Sequence, residues 1–315
     1  MSSLIDIKRR RVEREPSNAK ALVDLGEALL DANQYEEAVQ YFEKAIQLDP
    51  HSKMAFAFLV HSYRMMNNVN KAISSLEAVL NDRDHNQTVE NEHVHFYLGC
   101  LYKELKSYDK AAHHLRTTIR LDEYNMVAMD QLGTVLIEMK KLNEAYNIFQ
   151  SVLELYPEDT SALANLALVN YYRKDYEEAI RVASMAIEIN PDTAVAYLAM
   201  ARTYEDTGRV DESIPYYLEA IQSDPSMLIA YDLLAVLYYK KEQYDSAVQM
   251  FETLKQKCPS YEFDHDYYSE ATAKSASQPS QQQQQQQQQD KGSGEHQVAS
   301  EDDSADHEQE LQQQE

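Results

Sequence analysis

Glycine is scarce in this chain, with six in 315 residues. So little free backbone leaves no material for cradling a phosphate. No glycine-rich phosphate loop, nucleophile elbow or kinase signature occurs. Cysteine is scarcer still. Cys100 and Cys258 stand 158 residues apart without metal-type spacing, which reads as two reduced thiols and suggests the cytosol. Long apolar runs are also missing. No stretch approaches the roughly 18 apolar residues of a membrane span, and the opening MSSLIDIKRRR lacks the apolar core of a secretory signal. The expectation is a cytoplasmic protein with no membrane insertion. Positive charge is in deficit: 29 Lys and Arg stand against 53 Asp and Glu, a net −24. Nucleic acid needs a concentrated basic face and is not an expected ligand. A basic partner surface is compatible with the balance.

What the chain does have is a beat. Pro16, Pro50, Pro157, Pro191, Pro225 and Pro259 lie on one ruler, four of their five gaps being 34 residues. The remaining gap, 107, is three such steps plus five. Ala38, Ala72, Ala111, Ala145, Ala179, Ser213 and Ala247 keep the same beat. A fixed period of this size means one supersecondary unit stacked on itself, and stacks of this kind present long surfaces to partners.

One unit, 126–159, shows the physics. Met129, Leu132, Leu136 and Met139 mark one helical face, and Ala145, Ile148, Phe149, Val152 and Leu153 mark a second. Gly133 is expected to let two backbones approach, and Pro157 to end the second helix by pushing its predecessor out of the α region. Each unit is then a helical hairpin that cannot bury its apolar faces alone.

The pattern resembles the tetratricopeptide repeat family. The marks are Leu25-Gly26, Leu98-Gly99 and Leu132-Gly133, the alanine series, the large residues Phe42, Phe149, Tyr217 and Phe251, and the terminal prolines. The resemblance implies an all-α, right-handed superhelical solenoid of about seven hairpins: 19–52, 53–86, 92–125, 126–159, 160–193, 194–227 and 228–261. Repeats two and three depart from it, with Asp84 and Glu123 in place of the proline, and repeats five to seven carry alanine where the family often has glycine.

Residues 1–18 are expected to form an N-terminal capping helix, with Leu4, Ile5 and Ile7 packing on the first repeat. Lys8-Arg9-Arg10-Arg11 would complement that helix's dipole. The same run also fits a nuclear localisation signal. The polar stretch 81–93 is expected to be a spacer loop. Residues 262–274 are a candidate C-terminal cap. Residues 275–315 include the tract Gln281–Gln289, and the segment from 262 on carries 13 acids against two lysines. Too little apolar area is available there to offset chain entropy, so a disordered tail is expected from 275.

No catalytic, cofactor-binding or metal-ligating set emerges, and the chain is read as non-catalytic. His93 and His95 diverge by about 160° on a helix, and the adjacent His113 and His114 diverge too. Acidic pairs such as Glu36-Glu37 and Glu177-Glu178 open second helices, where carboxylates suit the dipole.

By the resemblance, a partner peptide or helix lies along the first helices, at unit positions 2, 5, 6, 9, 12 and 13. Those positions give one zone of Met54, Phe58, His61, Arg64, Phe96, Tyr97 and Lys103. A second zone holds Asn165, Leu168, Tyr171, Tyr172, Leu198, Arg202, Leu233 and Tyr239. Relatives that grip chaperone tails use lysine, asparagine and arginine to hold two carboxylates. Val23, Glu27, Phe58, His93 and Tyr97 stand here instead, so no such clamp is implied. The expected function is a protein–protein scaffold or adaptor. A regulatory subunit of an enzyme complex and a self-associating organiser remain open.

Overall fold

The computed structural model describes residues 2–81, 91–263 and 266–277. The spacer over 82–90 and everything from 278 on, including the glutamine tract, lie outside the described residues. Within them the secondary structure is helical throughout, and two compact units, Met1–Ser223 and Asp224–Glu315, can be separated.

The first unit opens with α1 (Ser2–Arg14). Six hairpins follow: α2 (Ala19–Asp31) with α3 (Tyr35–Leu48), α4 (Lys53–Met65) with α5 (Val69–Asn81), and α6 (Glu92–Glu104) with α7 (Tyr108–Leu121). Then come α8 (Met126–Glu138) with α9 (Leu142–Leu155), α10 (Thr160–Tyr172) with α11 (Tyr176–Ile189), and α12 (Ala194–Asp206) with α13 (Val210–Ser223). The second unit holds α14 (Leu228–Lys240), α15 (Tyr244–Lys257) and α16 (Tyr267–Ser277).

Local chemistry explains the starts and stops. Asn18, Asn91, Asn125 and Asp159 cap first helices by accepting a hydrogen bond from backbone N–H groups of the opening turn. Asn91 also donates to the Pro50 carbonyl, fastening the third hairpin to the end of the first. The turn between the two helices always puts one residue in the left-handed region. Asn33, Asn67, Lys106, Lys140, Lys174 and Glu242 take φ between 52° and 64°, and only Gly208 is a glycine. The next residue's N–H then reaches back to the first helix, as Lys141 N to Leu136 O at 2.9 Å, a Schellman-type closure.

The expected role of proline needs correcting. Helix α9 ends before Pro157 with Tyr156 at φ −136°, but α7 ends identically at Asp122, φ −136°, with Glu123 in the proline's place. The stop is therefore not proline's alone; proline fits a bend that the chain makes without it.

Packing within each hairpin is set by size. Phe42, Leu115 and Phe149 lie over Gly26, Gly99 and Gly133, where an added Cβ would come within 2.5, 2.6 and 2.3 Å of them. The room at Gly133 thus admits a ring, not a second backbone. Phe149 is fully buried, as are Ala145 and Leu132 to within 2%. The N-terminal helix packs through Ile5 and Val12, seven residues apart, while Leu4 and Ile7 are exposed. Only one of the three residues expected at that contact makes it, because they do not share a helical face.

In the second unit Phe251 is buried among Phe263 (ring centroids 5.1 Å) and Tyr268 (5.5 Å). Helix α16 supplies Tyr268 and the buried Ala271. It runs to Ser277, past the expected cap boundary at Lys274. Ser275 Oγ donates to Asp245 and holds the last turn in place.

Candidate partner-binding face

In the first unit each first helix touches the next one: α2 meets α4, α4 meets α6, α6 meets α8, α8 meets α10 and α10 meets α12. Among the described residues, successive second helices do not pack on one another to that extent. The first helices therefore line the short, inner side of the stack. That is the side on which the resemblance placed a partner.

The residues expected there fall into distinct environments. Phe58 is half-buried and stacks on Phe42 at 5.6 Å, which commits its ring to the joint between hairpins one and two. Arg64 is exposed and pairs with Glu104 at 2.6 Å, spanning α4 and α6. Phe96 and Tyr97 are half-buried and meet edge to face at 5.3 Å. Arg64 and Lys103 both act on Cys100, yet burial still pushes its thiol up to about 11, which keeps it protonated and unreactive near neutrality. Lys103 Nζ donates to Gln131 Oε1 at 2.9 Å and Thr134 Oγ1 at 2.8 Å.

The second zone is more enclosed. Asn165 is 8% exposed and donates to Asp130 Oδ1 at 2.9 Å. Asp130 also accepts from Ser161 Oγ at 3.1 Å, and burial raises its carboxyl pKa despite both bonds. Tyr171 is 6% exposed. Its hydroxyl donates to Asp206 Oδ2 at 2.9 Å and accepts from Arg202 Nε at 3.1 Å. Burial, with Asp206 beside it, pushes that phenol up to about 12. The Arg202 guanidinium lies 4.9 Å from the Tyr171 ring and 5.7 Å from that of Tyr172. Tyr171, Tyr172 and Arg202 are thus one cluster, in which Tyr171 is the support and the other two are half-exposed. Leu198 is buried as well. Tyr239, in the second unit, is covered by α16: Tyr267 stacks on it at 4.7 Å, and it bonds Glu270 and Lys274.

Sequence reasoning favoured rings and arginines and so passed over Asp130, Gln131, Thr134 and Asp206. They sit at the same unit positions as the residues it chose, and that shared register was the available signal. It also missed a histidine pair. His95 and His114, on α6 and α7, approach with Nδ1 to Nδ1 at 2.9 Å, and Tyr102 stacks on His114 at 5.6 Å. Along one helix the histidines do diverge; across the hairpin two of them meet. Burial and the neighbouring His95 and His113 lower the His114 pKa to about 4.

The basic run near the N-terminus is engaged within the fold. Lys8 Nζ donates to the Asp24 carbonyl at 2.6 Å, Arg9 pairs with Glu37 at 2.9 Å and Arg11 with Asp24 at 3.0 Å. No helix among the described residues is long and apolar enough to cross a membrane.

Comparison with known proteins agrees with this geometry. Family models described as tetratricopeptide repeat match residues 19–52, 131–194 and 198–262. Anaphase-promoting complex subunit CDC16 of Saccharomyces cerevisiae is 30% identical over 128 residues, 38% of this chain and 15% of that protein. General transcriptional corepressor trfA of Dictyostelium discoideum is 23% identical over 35% of this chain and 8% of its own. The chain therefore spans less than a sixth of the length of either curated relative. A tetratricopeptide repeat protein from Parabacteroides merdae superposes with a TM-score of 0.65 at 17% identity, over 81% of this chain and 98% of that structure.

Proposed function

Because the chain belongs to the tetratricopeptide repeat family, we propose that it is a non-catalytic scaffold holding a peptide or helix of a partner protein along its first helices. The observation that carries this is the Arg202 cluster. A half-exposed guanidinium is held on two tyrosine rings and oriented by a hydroxyl that is itself tied to Asp206. Arginine and tyrosine dominate binding energetics where they are rigid before the partner arrives. Arg64 and Lys103, likewise pinned by Glu104 and by Gln131 and Thr134, extend the same polar floor toward the first hairpins.

The test compares full-length protein with Arg202→Ala, and with Glu188→Ala on the exposed surface of α11 as control, in affinity capture read by quantitative mass spectrometry. Partners of the inner side should weaken by about 2 kcal/mol or more, roughly 30-fold, with Arg202→Ala alone. Unchanged capture by a folded Arg202→Ala protein would sink the reading. A second reading, as a stoichiometric subunit of a larger complex, is favoured by the relative named as a complex subunit. Co-purification at fixed stoichiometry with a catalytic partner would select it.

A further inference from the structure

On the opposite side of the first unit, clefts open between successive second helices. In the fifth hairpin the cleft has a volume of about 440 Å³ and is lined by Tyr146 of α9, by Asn170 and Arg173, and by Glu177, Glu178 and Arg181 of α11. Asn170 is fully buried, and neither its Nδ2 nor its Oδ1 has a hydrogen-bond partner. A buried carboxamide without partners is costly, and a group left so in a folded protein calls for an explanation.

The repeat supplies its own controls. The place of Asn170 is taken by Tyr63, Tyr102 and Tyr204 in hairpins two, three and six. There the hydroxyl or ring is satisfied: Tyr63 donates to Glu43 at 3.2 Å, Tyr102 to Glu77 at 2.6 Å, and Tyr204 stacks on Tyr216 at 5.2 Å. The fifth hairpin lacks that ring. It also has Ala183 where its neighbours carry Phe149 and Tyr217. The tyrosine ring is missing from the cleft, and a group that both donates and accepts stands among its lining residues.

We propose that this cleft is a second binding site, taking the side-chain carboxamide of a glutamine or asparagine in a partner polypeptide. The rim carries charges of both signs, Arg173 and Arg181 beside Asp175, Glu177 and Glu178, so it is the unpartnered carboxamide of Asn170 that sets the chemistry of the ligand. Arg181 is already held by Glu178 through two bonds, at 2.7 and 2.5 Å, and Arg173 lies on the Tyr146 ring at 4.5 Å. A carboxamide can pair with Asn170 in both directions at once, N–H to O and O to H–N. The site is separate from the inner face and does not depend on it.

The experiment uses full-length protein with 15N-labelled asparagine side chains and N-acetylglutamine methylamide as the probe. Saturable shifts of the Asn170 NH₂ resonances are expected in the millimolar range usual for so small a ligand. The isosteric apolar probe N-acetylhomoleucine methylamide should bind at least five-fold more weakly. Asn170→Tyr, which installs the residue of hairpins two, three and six, should keep the fold and abolish binding. Asn170→Leu keeps the approximate shape, is the residue of hairpins one and four, and removes donor and acceptor together; it should weaken binding at least five-fold. The proposal is overturned if wild type shows no saturable shift, which would leave Asn170 satisfied by water alone. It is overturned equally if both probes bind alike, or if a folded Asn170→Tyr protein binds like wild type. Should Asn170→Tyr not fold, equal binding by Asn170→Leu overturns it.

Discussion

In the fourth hairpin the Phe149 ring lies over Gly133, whereas the fifth has Ala183 and Ala167 at the matching places. Their turns match closely. Lys140 and Lys174 turn the chain with φ of 58° and 64°, and each turn closes with a bond of 2.9 Å, from Lys141 N and Asp175 N. The two hairpins therefore share a turn geometry while the side chains between their helices differ. The fourth hairpin has an apolar joint there. The fifth has two alanines there, and builds its polar cleft and its Tyr171 network from other residues.

The sharpest way to break this contrast is to remove the ring. Phe149→Ala should destabilise by about 3–5 kcal/mol in urea unfolding, as expected for a fully buried aromatic. Gly133→Ala alone should cost about 1–3 kcal/mol, since the new methyl meets the ring. In the Phe149→Ala background it should cost nothing or stabilise, because the double variant reproduces the alanine pair of the fifth hairpin. Additive losses would show that Gly133 serves something other than the ring.

If the fifth hairpin rests on polar contacts instead, Tyr171→Phe should expose it. The substitution keeps the buried ring but leaves Asp206 and Arg202 without their shared hydroxyl. A loss of about 2 kcal/mol is expected, the scale of hydrogen bonds to charged groups. A variant as stable as wild type would reduce this network to decoration.

The third hairpin offers a version of the contrast that pH can read. His114 has its pKa lowered from 6.5 to about 4 in the fold, through burial first and then His95 and His113, with Glu77 acting the other way and Lys110 adding to the lowering. The neutral form is thus the one the fold favours. Its contribution is complete above about 6.5 and is lost as pH falls toward about 4. Because His114 is only half-buried, we expect about 1 kcal/mol rather than the full value of the shift. His114→Phe, which keeps a ring against Tyr102, should unfold with a flatter pH dependence than wild type between pH 7 and 5. Parallel curves would assign the acid sensitivity to other groups.

These cases mark how far the sequence could be read. The 34-residue beat, the apolar stripes of 126–159 and the family resemblance were legible because each is a spacing along one helix or between equivalent points. The burial of Tyr171, the meeting of His95 with His114 and the unpartnered carboxamide of Asn170 were not. Each depends on which side chain a neighbouring helix presents at one level of the stack, and no spacing along a single helix encodes that. The nearest available signal for the cleft was the exchange of tyrosine for asparagine at one unit position. It carries meaning only once the tyrosines are known to bond across the cleft.

The smallest expected effect bears most directly on the claim of a shared backbone. Lys140 and Lys174 both sit in the left-handed region, which costs a residue with a Cβ about 1–2 kcal/mol. Glycine would remove that strain, but its freer unfolded state costs about 0.5–1 kcal/mol in return. The net result for Lys140→Gly is a stabilisation of about 0.5 kcal/mol, and Lys174→Gly should give the same value. Gly208→Ala, in the sixth hairpin, should reverse the sign, since its φ of 80° admits no Cβ without strain although the surrounding space is open. Equal gains at 140 and 174, measured by thermal unfolding, would show two turns with one backbone and two different interiors built on it. A gain at one and a loss at the other would mean that the alanine-lined fifth hairpin has altered its own turn, and that interior side chains and turn geometry are coupled after all.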